Sequence, residues 1–176
     1  MSKSVKSFLA DALKSANERG ARATELSAQL EQHDDDDTKK EYQRTVTHAL
    51  FDAKLSGMSE SAAKFVVEEL NADASAIVQQ SRELKKRTIA AAESAASGTP
   101  SKDKALRAFV AALKGKRKVF TLDQIAQIMQ HNTTTQASYL KTMLDFYGAL
   151  ESYDKDEKKL TVNKDHALIK ALIAAH

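Results

Sequence analysis

The sequence predicts a mainly α-helical fold, with an N-terminal helical bundle and a smaller C-terminal unit that carries a short β-hairpin. Three observations support this. The 176 residues include only five glycines and one proline, so helix breakers are scarce among many strong helix formers. Apolar residues return at helical spacing in one segment after another. Near the C-terminus two short apolar stretches flank a charged turn, which is the pattern of a hairpin.

In chain order, Val5, Phe8, Leu9, Ala12, Leu13 and Ala16 share one face of a first helix from Ser4. Gly20 stands where a left-handed C-terminal cap is expected. Thr24 is a suitable N-cap for a shorter helix through Leu26, Leu30 and Gln32. His33 and the run Asp34–Asp37 read as a solvated loop, placed where the dipole of a following helix favours negative charge. That helix, from Thr38, carries Tyr42, Val46, Ala49, Leu50 and Ala53 and ends near Gly57. Ser59 caps the next one, through Phe65, Val66, Val67 and Leu70, with an interruption at Asn71–Asp73. A long helix is expected from Asp73 to Ala96, through Ile77, Leu84 and Ile89.

Ser97–Ser101 combines a helix stop, the sole proline and small polar residues, and reads as a linker. The predicted organisation is a helical interaction or dimerisation module at 1–97, a linker at 98–101 and a second domain at 102–176. Charge divides the same way. Residues 1–100 hold 14 basic and 16 acidic side chains, whereas 101–176 hold 13 and 8. The C-terminal excess has the sign expected of a surface that meets phosphate.

Composition also excludes function classes. Without cysteine there is no disulfide, thiolate zinc site or cysteine nucleophile, which fits a reducing compartment. No apolar run is long enough to span a membrane, and Met1–Ser7 lacks a signal-peptide core, so a cytoplasmic protein is expected. No phosphate-binding glycine loop, His-Glu-x-x-His or Gly-x-Ser-x-Gly occurs. His33, His48, His131, His166 and His176 show no ligand spacing, although His33 beside the aspartates offers a divalent-cation reading secondary to the solvated loop. The expectation is a non-enzymatic protein with no cofactor, no metal and no evident small-molecule ligand.

Beyond the linker, Ala105, Phe109, Ala112 and Leu113 define a helix from Lys102 to Lys114, and Gly115–Lys118 breaks it. Val119–Phe120 is a short extended stretch. Thr121 caps a helix with Ile125, Ile128 and Met129 inward, and His131–Thr133 forms a turn. A third helix runs from Thr133 to about Tyr147, ended by Gly148. Strands at 149–153 and 158–162 flank Asp154–Glu157, and a closing helix starts at Asp165.

In three places these residues resemble the winged helix-turn-helix superfamily. Thr121–Met129 resembles the first helix of the pair, Thr133–Tyr147 the recognition helix, and Gly148–Tyr153 the passage into the wing. Many members carry a glycine in the turn between the two helices. Here the turn reads Gln130-His-Asn-Thr133, and Asn132 is the residue expected to take the left-handed conformation. The resemblance implies double-stranded DNA binding with the recognition helix in the major groove. Base contacts would come from Thr134, Thr135, Gln136, Ser138, Tyr139 and Lys141. Phosphate contacts would come from Lys114, Lys116, Arg117 and Lys118, and at the wing from Lys155, Lys158 and Lys159. A role in transcriptional regulation in a bacterium or phage follows. The alternative is a non-catalytic assembly factor whose winged helix docks on a replication or transcription component.

Two further patterns stay open at this level. Thr24–His33 echoes Thr121–His131, so residues 4–57 read either as a degenerate second helix-turn-helix or as ordinary three-helix packing. Ile77, Leu84, Thr88, Ala91 and Ala95 form a thin stripe that suits either a homodimer seam through the N-terminal helices or packing within the chain.

Overall fold

The computed structural model describes residues 3–176. Met1 and Ser2, part of the stretch read above for a leader, lie outside the described residues. The chain is mainly helical, with one small antiparallel sheet.

The first half is built on a helical hairpin, α1 (Lys3–Gln32) and α2 (Asp36–Ser56). The expected stop at Gly20 does not occur. A mid-helix glycine costs about 1 kcal/mol, and continuing the helix carries Ala23 and Leu26 onto the buried face begun by Val5, Phe8, Ala12 and Ala16. Burial of one leucine is worth about 2 kcal/mol, so the helix runs on. Thr24 is therefore not a cap; its hydroxyl donates to the Gly20 carbonyl at 3.2 Å. Residues 4–57 make two long helices rather than three.

The aspartate run has local tasks. Asp35 caps α2 by accepting from the Thr38 amide at 2.8 Å, and Asp36 and Asp37 occupy the first turn. Hydrogen bonds to Thr38 hold the Asp35 carboxyl below its ordinary range. Asp34 pairs with Lys39 at 2.7 Å.

After Gly57, α3 (Glu60–Lys64), capped by Ser59, opens into a π-helical turn at Phe65–Glu69. Asn71 is left-handed, and α4 (Ala74–Val78) follows. The single long helix expected from Asp73 is broken at Gln79–Ser81, where Ser81 caps α5 (Arg82–Ser97). The break lets two directions be satisfied. Ala74, Ile77 and Val78 of α4 enter the N-terminal core with Val5, Phe8, Leu55 and Val66, whereas α5 turns to lie between both halves.

Helix α5 is a shared spine. Ala92 belongs to the N-terminal core, and Ala91, one residue away, belongs to the C-terminal one. The stripe weighed as a dimer seam is thus consumed within the chain, with Ile77, Thr88 and Ala91 all at 0% exposure. Gly98, left-handed at φ 64°, ends α5. The segment after it is tied down: Ser94 donates to the Thr99 carbonyl at 2.7 Å, and the Ser101 amide donates to His176 Nε2 at 3.3 Å.

The C-terminal unit runs α6 (Lys104–Leu113), β1 (Val119–Thr121), α7 (Leu122–Ile128), α8 (Thr135–Phe146), β2 (Leu150–Asp154), β3 (Lys159–Val162) and α9 (Ala167–Ala174). The hairpin strands pair antiparallel, and β1 joins them on the other side of β3, giving the order β1-β3-β2. Phe109, Phe120, Leu106, Ile125, Leu140, Met143, Leu160 and Leu172 form its core, with Phe109 and Phe120 edge to face at 5.6 Å. Helix α9 starts two residues later than expected, at Ala167, with His166 as its cap; His166 Nδ1 accepts from the Leu168 amide.

A polar cluster that no sequence pattern announced joins α1, α2 and α5. Asp52 accepts from Lys85 at 2.5 Å, Arg19 at 2.8 Å and Ser15 at 2.9 Å, with the Lys85 and Asp52 side chains fully buried. Burial lowers the Lys85 pKa, and the hydrogen bond and charge of Asp52 oppose that shift.

Candidate nucleic-acid interface

The helix pair α7–α8 is set up by short-range chemistry. Thr121 Oγ accepts from the Gln124 amide at 3.2 Å, and Gln124 Oε1 accepts from the Thr121 amide at 3.0 Å, a reciprocal capping box. Leu122, Ile125 and Ala126 point inward. The turn closes with the His131 amide donating to the Ala126 carbonyl at 2.9 Å. Its left-handed residue is Gln130, at φ 58°, not Asn132. The position just past the last turn of α7 has to reverse direction to make that bond, so helix geometry overrides side-chain preference.

Helix α8 starts two residues later than expected, at Thr135, after Thr134, which makes no side-chain cap bond. Ala137, Leu140, Met143 and Leu144 anchor it in the core. Its outward positions are Thr135, Thr142, Asp145 and Phe146, with Thr134, Gln136, Ser138, Tyr139 and Lys141 half-buried at the margins.

Two of the predicted base readers are engaged within the chain. Gln136 Oε1 accepts from Arg87 Nη2 at 2.7 Å. Lys141 donates to Asp145 at 2.9 Å and lies over the Tyr153 ring at 4.6 Å. Thr135, Ser138 and Tyr139 make no side-chain hydrogen bond among the described residues, leaving those groups free for a partner.

The predicted phosphate contacts separate into two groups. Arg117 is structural: its Nε donates to the Val119 carbonyl at 2.8 Å, its guanidinium stacks 4.7 Å from the Phe120 ring centroid, and it also bonds Gln124. Lys118 pairs with Glu151 at 2.9 Å, and Lys159 with Glu157 at 2.5 Å. Lys114, Lys116, Lys155 and Lys158 are exposed and have no carboxylate partner among the described residues. The two lysine groups lie toward opposite ends of the sheet. Val119 is level with Thr161, near the Lys114–Lys118 loop, whereas Thr121 is level with Lys159, beside the hairpin turn.

The sequence reading missed a second set of cations, at the N-terminal end of α8. A cavity of about 520 Å³ is lined there by Lys86, Lys102, Lys104 and His131, together with Gln136. Lys104 also borders a neighbouring cavity with Arg107 and Gln130. Lys86, Lys102, Lys104 and Arg107 have no carboxylate partner among the described residues. The two carboxylates in the larger cavity are already committed. Asp103 caps α6 through the Ala105 and Leu106 amides and takes Arg87 at 3.4 Å, and Glu83 pairs with Arg82 at 3.0 Å. Only the surplus of basic residues after position 100 hinted at this surface. Its location needs α5, α6 and the α7–α8 turn to meet.

Arg87 organises that meeting point. Its side chain is 4% exposed, it links Asp103 to Gln136, and its Nε is buried without a hydrogen-bond partner. The N-terminal half thereby holds the first turn of α8 directly.

Compared with family models, curated proteins and solved structures, the chain matches none. No group of three or more His, Cys, Asp or Glu capable of holding a metal occurs among the described residues, and no helix there is long and apolar enough to cross a membrane.

Proposed function

We propose that this chain is a non-enzymatic, cytoplasmic double-stranded DNA-binding protein, acting as a transcriptional regulator, that docks α8 of a winged helix in the major groove. The observation that carries this reading is the set of unpaired cations Lys86, Lys102, Lys104 and Arg107 around the N-terminal end of α8. A helix that reads base edges with its N-terminal residues needs phosphate contacts on that flank. Thr134, Thr135, Ser138 and Tyr139 would face bases, joined by Gln136 and Lys141 where they exchange their internal partners. Lys114 and Lys116, and Lys155 and Lys158 at the wing, would add backbone contacts. Exposed Leu13, Val46 and Leu50 on α1 and α2 offer the N-terminal helices as the surface of a homodimer.

Fluorescence anisotropy with random duplex DNA over a salt series tests the reading. Binding that weakens steeply with salt is expected. It should weaken further in K102A/K104A, with a shallower salt slope, because two phosphate contacts are lost. These lysines have no internal partner, so the fold is kept. Absence of binding at low salt overturns the proposal.

A second reading has its own observation. The outward face of α8 carries Asp145 and an exposed Phe146 and has no free cation. That face suits docking on a protein, which would respond far less to salt. Replacing Phe146 by Ser would abolish such docking and leave DNA affinity unchanged.

A further inference from the structure

The charge on the cluster around Asp52 does not balance. One carboxylate serves both Lys85 and Arg19, so two cations share a single anion. The Lys85 side chain is fully buried and that of Arg19 is 29% exposed, so the surplus positive charge sits in a medium that screens it poorly. His48 adds no negative charge. Its Nδ1 accepts from Lys85 at 3.2 Å, which makes the ring neutral and places its proton on Nε2. Burial keeps the His48 pKa below its ordinary value, helped by the charges of Lys85, Arg19 and Arg44 and opposed by Asp52.

Outside this cluster, His48 forms the wall of an open cavity of about 380 Å³ between α2 and the start of α5. The other lining residues are Lys40, Gln43, Arg44, Thr47 and Arg82. No carboxylate lines it. Lys40 is within 3.4 Å of Asp37 and Arg82 within 3.0 Å of Glu83, both exposed pairs that water and a stronger anion can replace. Arg44 has no carboxylate partner among the described residues. Cations, an amide and an imidazole N–H are therefore collected in front of an unbalanced buried charge, whereas the Thr47 hydroxyl already donates to the Gln43 carbonyl at 2.7 Å. A compact anion with several acceptor oxygens would use these donors and supply the missing negative charge.

We propose that this cavity binds the phosphate group of a small phosphorylated ligand. Arginine forks from α2 and α5 grip adjacent oxygens, His48 Nε2 donates to a third, and Lys40 closes the outer side. The volume leaves room for a body beyond the phosphate. The residues come from two helices far apart in sequence, so no motif marks the site.

The test uses the full chain with inorganic phosphate and pyrophosphate as probes, at constant ionic strength, followed by NMR of the His48 ring nitrogens. Pyrophosphate should produce a saturable shift of the His48 signals and raise its pKa. In R44A/R82A, whose arginines are exposed, binding should weaken by about tenfold or more, with the thermal midpoint unchanged. Affinity for duplex DNA should be the same in the variant as in the parent. A shift that never saturates, or that chloride reproduces, overturns the proposal. So does an R44A/R82A variant that binds pyrophosphate like the parent. If the variant instead loses DNA affinity while pyrophosphate fails to saturate, the cavity meets a nucleic-acid backbone and the small-ligand assignment is wrong.

Discussion

The two halves of this protein solve the core problem with different materials. The C-terminal core is assembled from large apolar side chains, including Phe109, Phe120, Leu140, Met143 and Leu172. The N-terminal core is mostly small: Ala12, Ala62, Ala63, Ala74 and Ala92 stand beside Val5, Phe8, Leu55 and Ile77. Alanines let helices approach closely but bury little area, and beside this core a charged side chain, Lys85, is fully buried. Where the C-terminal unit is held by apolar packing, α1, α2 and α5 are additionally pinned by one carboxylate that must meet Lys85, Arg19 and Ser15 together. Apolar packing tolerates exchange of similar volumes, but a buried ion cluster demands one geometry and penalises loss of a single member.

Four measurements break or sharpen that contrast, read as shifts in urea unfolding. The largest effect is expected for D52A, which leaves Lys85 buried and unpaired; breaking a buried pair in this way costs about 3–5 kcal/mol. The double replacement D52L/K85M should recover much of that loss, because Arg19 is partly exposed and can turn to water. If D52A proves no worse than a surface change, the cluster is not holding the N-terminal helices. In the other half, L140A should cost about 3 kcal/mol through lost apolar burial and the cavity left behind, and no polar replacement should rescue it.

A smaller effect of opposite sign is expected for Y147F. The Tyr147 hydroxyl is buried, and Thr88 approaches it without satisfying hydrogen-bond geometry. Burial pushes the phenol well above its ordinary pKa. Removing a buried hydroxyl without a good partner should therefore stabilise the protein by about 1 kcal/mol; destabilisation would mean the hydroxyl is satisfied in solution.

The smallest effect concerns pH. Burial holds both His48 and His166 below the ordinary histidine value of 6.5, with a Tyr147 backbone hydrogen bond opposing the shift at His166. The fold therefore favours the neutral rings. Their contribution is complete above pH 6.5 and is lost as pH falls from 6.5 toward the lower folded values. Protonation at His166 also removes the Nδ1 acceptor that caps α9. H166D keeps a capping acceptor and should flatten part of the stability loss between neutral pH and pH 5; an unchanged profile would assign the whole dependence elsewhere.

Legibility from sequence differed between the halves for related reasons. In the C-terminal unit most devices are local. The Thr121 cap, the Gly148 stop and the charged hairpin turn each act within a few residues, so α6–α9 and the hairpin could be read in order. The errors there were short-range too: Gln130 rather than Asn132 turned left-handed, and the first turns of α8 and α9 were placed two residues early. In the N-terminal half, Gly20 and the Asp73–Ala96 pattern misled because tertiary burial decided both cases. A face worth burying carried α1 through its glycine, and two competing cores split the expected long helix at Ser81. For the interface, the free lysines at 114, 116, 155 and 158 were legible as charge. The internal engagement of Gln136, Arg117 and Lys141 was not, nor was the cation group formed by Lys86, Lys102, Lys104 and Arg107.

By itself, the sequence determined the mainly helical class, the hairpin near the C-terminus and the positive charge of residues 101–176, because composition, periodicity and capping act over one or two turns. Tertiary structure alone decided that α5 serves both cores, that Asp52 meets Lys85 across 33 residues of chain, and that Arg87 holds the first turn of α8. Those contacts join side chains from separate helices. Their energies exist only once burial has brought the helices together and lowered the dielectric between the charges.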